Sequence, residues 1–377
     1  MKKFAFLLVL LLAVTIYPKN YAFAEVEFNT SAKAMAVVEQ NTGRILFEKN
    51  ADEKLPMAST TKVVTALTVL ENCKDLNEIV EVDDRAVGVS GTSIYLTHGE
   101  KMPVIELLYG MMLVSGNDAS TALAYHVSGS IDDFCSLMKK TAESAGAYNS
   151  NFMNPHGLDA EGHYTTAKDL ALISAKALKN ETFAQIVGTK NYKISGNEKV
   201  NFRYLKNKNR MLGSYDGATG VKTGYTSKAG RCFVGSAKRG SLGIVCAVLN
   251  DGPMFEDCMS CLDLCFEEYD YMEILKPYNY SQKINVLNGK SDYLKVYTRR
   301  GFSYPLTASE YLKLEFKFAL PMEIEAPIKK EEVVGKLSIC LEGEVLFEEN
   351  VYAMEDIKSV KLIEYIREII ENWNKIS

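Results

Sequence analysis

The chain reads as an α+β protein, with a small β-rich domain and an amphipathic helix following the main unit. Three observations carry this reading. Apolar, β-branched runs stand at both ends of the first 276 residues, at Ala34–Val38 and Arg44–Phe47 and again at Gly230–Ala237 and Leu242–Leu249. Between them, apolar residues recur at helical spacing. After Pro277 the pattern changes to short alternating runs. The main unit is therefore expected to be one sheet built from both ends, with helices in the middle. The 377 residues are 47% hydrophobic and 24% charged, with 25 Gly and 9 Pro. These values exclude wholesale disorder, collagen and coiled coil, and the length suits one large domain with a smaller one.

Met1-Lys2-Lys3, the apolar run Phe4–Ile16 and Ala22-Phe23-Ala24 have the layout of a secretory signal peptide. It covers residues 1–24, with cleavage expected before Glu25. An uncleaved anchor is the competing reading, but so short a run does not span a bilayer comfortably. The mature protein is expected to be exported and to work in the cell envelope. There are 43 basic and 48 acidic residues; three of the lysines and no acid lie in residues 1–24, which leaves 40 against 48. That acidic balance, without a Lys/Arg run, argues against a nucleic-acid partner.

Asn41-Thr42-Gly43 joins the first two runs as a hairpin. Pro56-Met57-Ala58 leads into a helix over Ser59–Glu71, where Val63, Val64, Leu67 and Leu70 share a face. Pro103 opens another over Val104–Val114; Ser115-Gly116-Asn117 stops it, and a third runs from about Asp118 to Val127. Ala167–Leu178 is a further helix, and the polar run Asn191–Lys199 reads as a hairpin turn. The two late runs read as buried strands joined at Lys238-Arg239-Gly240-Ser241, and Cys258–Tyr269 as the helix that closes the unit spanning residues 25–276. Residues 281–355 form the β-rich domain. Residues 356–377 close the chain as a helix whose stripe holds Val360, Ile363, Ile366, Ile369, Ile370, Trp373 and Ile376. Cys258, Cys261 and Cys265 share one helix face and read as buried thiols; a zinc site would need a fourth ligand, and no His is near in sequence. No metal and no other cofactor is expected.

Three short motifs occur in order. Ser59-Thr60-Thr61-Lys62 fits S-x-x-K, Ser115-Gly116-Asn117 fits S-x-N, and Lys222-Thr223-Gly224 fits K-T-G. Such a set occurs in penicillin-binding proteins and class A β-lactamases. Singly they are weak: average frequencies give about one S-x-x-K in a chain of this length. Ser136-Leu137-Met138-Lys139 is indeed a second, and Ser195-Gly196-Asn197 a second Ser-Gly-Asn. Context separates them, because Ser136 falls in mid-helix while Ser59 begins one. A Ser at a helix start has a free backbone N–H for an oxyanion. Three residues later is nearly one turn, so Lys62 shares its face. A solvated Lys is protonated at pH 7; burial or a second cation such as Lys222 would free its amine to act as a base.

With these motifs the chain resembles the serine-type D-alanyl-D-alanine carboxypeptidases of the peptidase S11 type, which are low-molecular-mass penicillin-binding proteins. Met57–Lys62, Val114–Ala119, Asn154–Leu158, Lys222–Thr226 and Ala326–Gly335 carry the resemblance, which spans nearly the whole mature chain. It implies a penicillin-recognising, β-lactamase-like antiparallel sheet flanked by helices, then the β-domain and a helix that often rests on a membrane. It implies Ser59 as nucleophile, Lys62 as general base, Ser115 in proton relay, and Asn117 orienting the peptide and Lys62. Lys222, Thr223, Gly224 and Tyr225 would bind substrate, with Tyr225 supplying a second oxyanion N–H. The implied partners are peptidoglycan stem peptides ending in D-Ala-D-Ala and β-lactam antibiotics, which would form a slowly hydrolysed acyl-enzyme.

Parts of the family use an Arg beyond the K-T-G strand for the carboxylate. Asn250–Cys261 contains none, so Arg231 is either a substitute or an ordinary surface charge. His156 is expected to shape its loop rather than to move protons. In the closing helix, Lys361, Arg367 and Lys375 balance Glu364, Glu368 and Glu371, so peripheral membrane contact would rest on Ile and Trp373 burial. Two other functions compete. A β-lactamase would need a water-activating Glu, for which no motif stands between Asn117 and Lys222. A non-catalytic penicillin-binding sensor would not need Ser59, Lys62 and Lys222 together.

Overall fold

Successive side chains of a strand point to opposite faces, and in Ala34–Glu39 both faces are buried. Ala34, Ala36 and Val38 enter one core, and Met35 and Val37 another. This strand, β1, therefore lies inside a three-layer arrangement, helices on either side of a sheet. The computed structural model describes residues 28–195, 202–278 and 282–361, together with Ile363, Ile366, Ile370 and Trp373. The expected signal peptide, the Ser195-Gly196-Asn197 turn beyond Ser195 and most of the expected closing helix lie outside these residues.

β2 (Ile45–Lys49) pairs antiparallel with β1. Their turn is held by Glu39, whose carboxylate accepts from the Asn41 and Thr42 N–H groups and the Thr42 hydroxyl. A 3₁₀ turn, Ala58–Thr61, then feeds α1 (Lys62–Asn72), so the expected helix over Ser59–Glu71 opens with a tighter turn. The short pair β3 (Ile79–Glu81) and β4 (Lys101–Pro103) precedes the helical layer of α2 (Val104–Leu113), α3 (Asn117–Ser128), α4 (Ile131–Glu143), α5 (Ala167–Leu178) and α6 (Glu181–Gly188).

β5 (Asn191–Ser195) and β6 (Phe202–Lys206) form a hairpin, which corrects the reading of 191–199 as turn throughout. Alternation explains the strand: Tyr192 stacks on Tyr109 at 3.7 Å, and Ile194 is fully buried. After the single turn α7 (Met211–Ser214) come β7 (Ala218–Thr226), β8 (Gly230–Arg239) and β9 (Leu242–Leu249), then α8 (Met254–Glu268), which starts one turn before the Cys258 expected from sequence.

The main sheet runs β2-β1-β9-β8-β7, all neighbours antiparallel, with β7 at an edge. One face packs on α1 to α6. The other packs on α8 through Cys258, Cys261, Leu262 and Cys265. All eight cysteines are free thiols.

The second unit holds β10 (Asp270–Leu275), β11 (Gln282–Leu287), β12 (Tyr293–Thr298), β13 (Phe302–Leu306), α9 (Ala308–Tyr311), β14 (Leu314–Ala319), β15 (Glu323–Glu325), β16 (Val333–Leu341) and β17 (Glu344–Ala353). Six strands form one sheet in the order β14-β16-β17-β12-β11-β15 around Leu294, Val296, Leu337, Ile339 and Val351. β10 pairs with β13, so this strand, placed within residues 25–276 by sequence, pairs with the second unit. The molecule is thus α+β with a C-terminal all-β domain. Asp356–Lys361 is not the start of a helix. Ile357 and Ile328 exchange backbone hydrogen bonds, and Val360 N–H donates to Asn288 O, so the β-domain claims this stretch as extended chain. Beyond it, Ile363, Ile366, Ile370 and Trp373 are helical and exposed.

Arg44 couples the two units. Its guanidinium donates to Pro305 O and to the Glu310 carboxylate, and lies 5.3 and 5.2 Å from the ring centres of Tyr269 and Tyr304. Glu310 is itself fixed by the Thr307 N–H at 2.9 Å. Arg44→Ala would leave that largely buried carboxylate without a cation, a situation that costs about 3 kcal/mol. Denaturant unfolding of the variant should show that loss, and Arg44→Lys should recover part of it.

Candidate active site

Ala58 adopts φ +49°, and two hydroxyls then lock the turn that carries Ser59: Thr60 donates to Met57 O at 2.6 Å and Thr61 to Ala58 O at 2.8 Å. Among the described residues no backbone hydrogen bond uses the Ser59 N–H. One turn on, Lys62 is fully buried. Its Nζ lies 3.1 Å from Ser59 Oγ, 2.7 Å from Asn117 Oδ1 and 2.6 Å from His156 O. The structure thus brings Ser59, Lys62 and Asn117 into direct contact.

Each partner of the amine is held from behind. Asn117 begins α3, with its N–H on Thr92 O at 2.7 Å and its Nδ2 on Ser90 O at 2.6 Å. His156 belongs to Asn154–Leu158, where the Asn154 side chain accepts from Gly157 N–H and donates to Leu158 O. This loop lies along the Ser59 turn and α1: Pro155 O accepts from Thr65, and His156 O from Lys62. His156 therefore acts through its carbonyl, in keeping with a loop-shaping role. Ser136 of the second S-x-x-K is exposed on α4 and only bonds back to Asp132 O, one turn earlier in its own helix.

The edge strand β7 closes the other side. A Cβ on Gly224 would come within 2.9 Å of Ser59 N and 3.0 Å of Thr60 N, so only glycine lets the strand approach the turn this closely. Lys222 is buried and donates to Thr223 O at 3.0 Å. Ser115, nearly buried, takes φ +70° between α2 and α3. Ser59, Ser115, Thr223, Gly224 and Tyr225 line one cleft of about 810 Å³. Arg231, opposite Tyr225 on β8, lines it too and donates to Gly252 O at 3.0 Å.

Electrostatics favour a neutral amine. Burial holds the Lys62 pKa well below the usual lysine range, and the positive charges of Lys222 and Lys208 push it further down, against a smaller opposing effect of Asp118. Burial, with help from Lys208, lowers Lys222 to about 7. The sequence reading foresaw Lys222 in this role but not Lys208, which sits on the cleft rim with Nζ 3.4 Å from Thr92 Oγ1.

It also missed His163, which has no motif around it. His163 Nδ1 accepts from Met153 N–H at 3.0 Å, so Nε2 carries the proton and donates to Thr61 Oγ1 at 2.9 Å. Burial lowers its pKa to about 4; burial, then the charge of Lys62, lowers His156 to about 3. Among the described residues no group of His, Cys, Asp and Glu could hold a metal ion.

The family model described as D-alanyl-D-alanine carboxypeptidase matches residues 21–252, and that described as Penicillin-binding protein 5, C-terminal domain, matches residues 269–359. The chain is 32% identical over 381 residues to the D-alanyl-D-alanine carboxypeptidase DacF of Bacillus subtilis (strain 168), covering 98% of both. It is 30% identical to DacC of Escherichia coli (strain K12), over 88% of this chain and 85% of that one. The crystal structure of penicillin binding protein 5 from Haemophilus influenzae superposes with a TM-score of 0.71 at 26% identity, covering 88% of this chain and 99% of that chain. The Streptomyces K15 DD-transpeptidase does so with a TM-score of 0.60 at 31% identity, over 64% of this chain and 99% of that chain.

Two consequences are measurable. Gly157 has φ +89°, and an added Cβ would lie 1.9 Å from Ala58 O. Gly157→Ala must therefore move the His156 carbonyl off Lys62, and a shift near 1 Å at a reacting group costs roughly 100-fold in rate; stopped-flow acylation of Ser59 reads this directly. The second consequence concerns acid. Because His163 stays neutral in the fold down to about pH 4, the unfolded chain gains a proton between pH 6.5 and 4 that the folded one refuses. Stability on the order of 3 kcal/mol is therefore present above pH 6.5 and lost as pH falls to 4. His156 adds a similar slope, so His163→Gln should remove one of two protons from the pH dependence of unfolding.

Proposed function

This chain belongs to the D-alanyl-D-alanine carboxypeptidase family, and we propose that Ser59, activated by Lys62, opens its acyl transfer. The chain is a penicillin-binding hydrolase that removes the terminal D-alanine from peptidoglycan peptides ending in D-Ala-D-Ala. The environment of the Lys62 amine carries the residue assignment. A neutral amine has two N–H bonds and one lone pair. The carbonyls of Asn117 and His156 take the two N–H bonds, which leaves the lone pair for the Ser59 hydroxyl.

The steps follow from that arrangement. Ser59 Oγ loses its proton to Lys62 Nζ and attacks the carbonyl between the two D-alanines. The carbonyl oxygen, now negative, accepts from the Ser59 N–H and from Tyr225 N–H on the edge strand. Ser115, on the cleft wall, passes the proton to the leaving amine as the C–N bond breaks, and D-alanine departs. Water gives its proton to the same Lys62 amine as it attacks the acyl carbonyl; when the C–O bond to Ser59 breaks, Lys62 returns that proton to Ser59 Oγ and the shortened peptide leaves as the acid. Thr223 and Arg231 hold the terminal carboxylate, with Lys222 adding positive potential beneath them. A β-lactam presents a carbonyl and a carboxylate to the same groups and acylates Ser59.

The catalytic domain is read as the part from residue 25 through α8, and the β-domain as β10 to β17. Residues 1–24 address the chain for export to the cell envelope. Among the described residues no helix is long and apolar enough to cross a membrane. The exposed Ile363, Ile366, Ile370 and Trp373 support peripheral contact with a membrane surface.

D-Alanine release from a peptide ending in Lys-D-Ala-D-Ala tests the assignment. The mature chain should release it, and Ser59→Ala, folded by circular dichroism, should release none and should not be labelled by a fluorescent penicillin. Release by both would mean another nucleophile; release by neither would favour a sensor.

A further inference from the structure

The chain carries an excess of acid, yet its active-site cleft is basic. Lys206, Lys208, Arg210 and Arg231 line it against one carboxylate, Glu256. Thr223 and Arg231 suffice for a single terminal carboxylate. Three cations remain, Lys206 at the end of β6 and Lys208 and Arg210 on the segment that leads from it into α7, along the side of the cleft lined by Thr92 and Ser115. Backbone bonds hold the segment there: Asn207 N–H donates to Lys190 O and Lys208 N–H to Leu113 O. Among the described residues no carboxylate pairs with Lys206, Lys208 or Arg210. Three unneutralised cations on a fixed wall repel one another unless the occupant of the cleft brings negative charge.

We propose that the substrate carries a second carboxylate, on the side chain of the residue preceding the D-Ala-D-Ala pair, and that Lys206, Lys208 and Arg210 recognise it. This rests on the carboxypeptidase reading and narrows it to stem peptides whose third residue is a diamino dicarboxylic acid, rather than lysine or an amidated equivalent.

Three peptides ending in D-Ala-D-Ala test it: one whose third residue bears a free side-chain carboxylate and amine, its amide, and the lysine form. Two partly exposed ion pairs together are worth roughly a tenfold preference, so kcat/KM should favour the free acid over the other two by about that factor. The preference should shrink towards one between about 0.05 and 0.5 M salt, as screening shortens the reach of exposed charges. In the double variant Lys206→Gln/Arg210→Gln, both exposed positions, the acid-to-amide ratio should collapse. Equal turnover of acid and amide, a ratio insensitive to salt, or an unchanged ratio in the variant would each overturn the proposal while leaving the carboxypeptidase reading intact. No turnover of any of the three would overturn both.

Discussion

A lysine amine held away from water by three polar contacts is the constraint on which the rest of this site depends. An isolated buried ammonium is prohibitively costly, whereas a buried neutral amine with satisfied hydrogen bonds is not. Lys62 meets that condition through Ser59, Asn117 and His156, and each of these is fixed by its own element. The local structure follows: the 3₁₀ turn places Ser59, the break between α2 and α3 places Asn117, and the Asn154 turn places the His156 carbonyl. The charge state that the proposed base role requires is the one the fold can tolerate.

The walls of the cleft depend on close backbone approach and on buried ions. Gly224 and Gly157 let a strand and a loop press on the Ser59 turn from two sides. The segment in front of Asn117 is pinned by Asp118, whose carboxylate accepts the N–H groups of Ile94 and Leu96 and the Ser93 hydroxyl. Arg203 of β6 completes the anchorage, donating to Ile94 O at 2.6 Å and to Glu100 at 2.7 and 2.9 Å. β6 and the loop ahead of β4 are therefore tied together, and Asp118 ties that loop to the start of α3.

Much of this was legible in sequence because it is written in local chemistry. Continuous apolar, β-branched runs placed β1, β8 and β9, whose two faces are both buried, and helical periodicity placed α2 and α5. Motif order and context pointed to Ser59, Lys62, Ser115, Asn117 and Lys222; Ser59 and Ser115 line the cleft, Lys62 bonds to Ser59 and Asn117, and Lys222 is buried on β7. What stayed hidden is what arises from distant contact. His163 reaches Thr61 across more than 100 residues, and nothing around it in sequence marks that bond. Lys208 sits in a polar stretch that resembles any surface loop. Arg231 was ambiguous between surface and site in sequence, because only the pairing of β7 with β8 sets it opposite Tyr225 on the cleft. At the far end, the helix expected from residue 356 starts later, because backbone pairing at Ile357 and Val360 holds that stretch on the β-domain, while Ile363, Ile366, Ile370 and Trp373 of the stripe are helical.

The pairing of β1 with β9 has a consequence in time. Ala34 lies opposite Leu249, more than 200 residues later, and the Ser59 turn is seated by Gly224, which follows it by 165 residues. Closing so long a loop costs entropy before any contact offsets it. A chain that emerges N-terminus first, from a ribosome or through a membrane pore, exposes its serine and lysine early but has no wall to set them against. The hydrolase is therefore silent by construction during synthesis and transit, and comes into being only when the last strand of its sheet arrives.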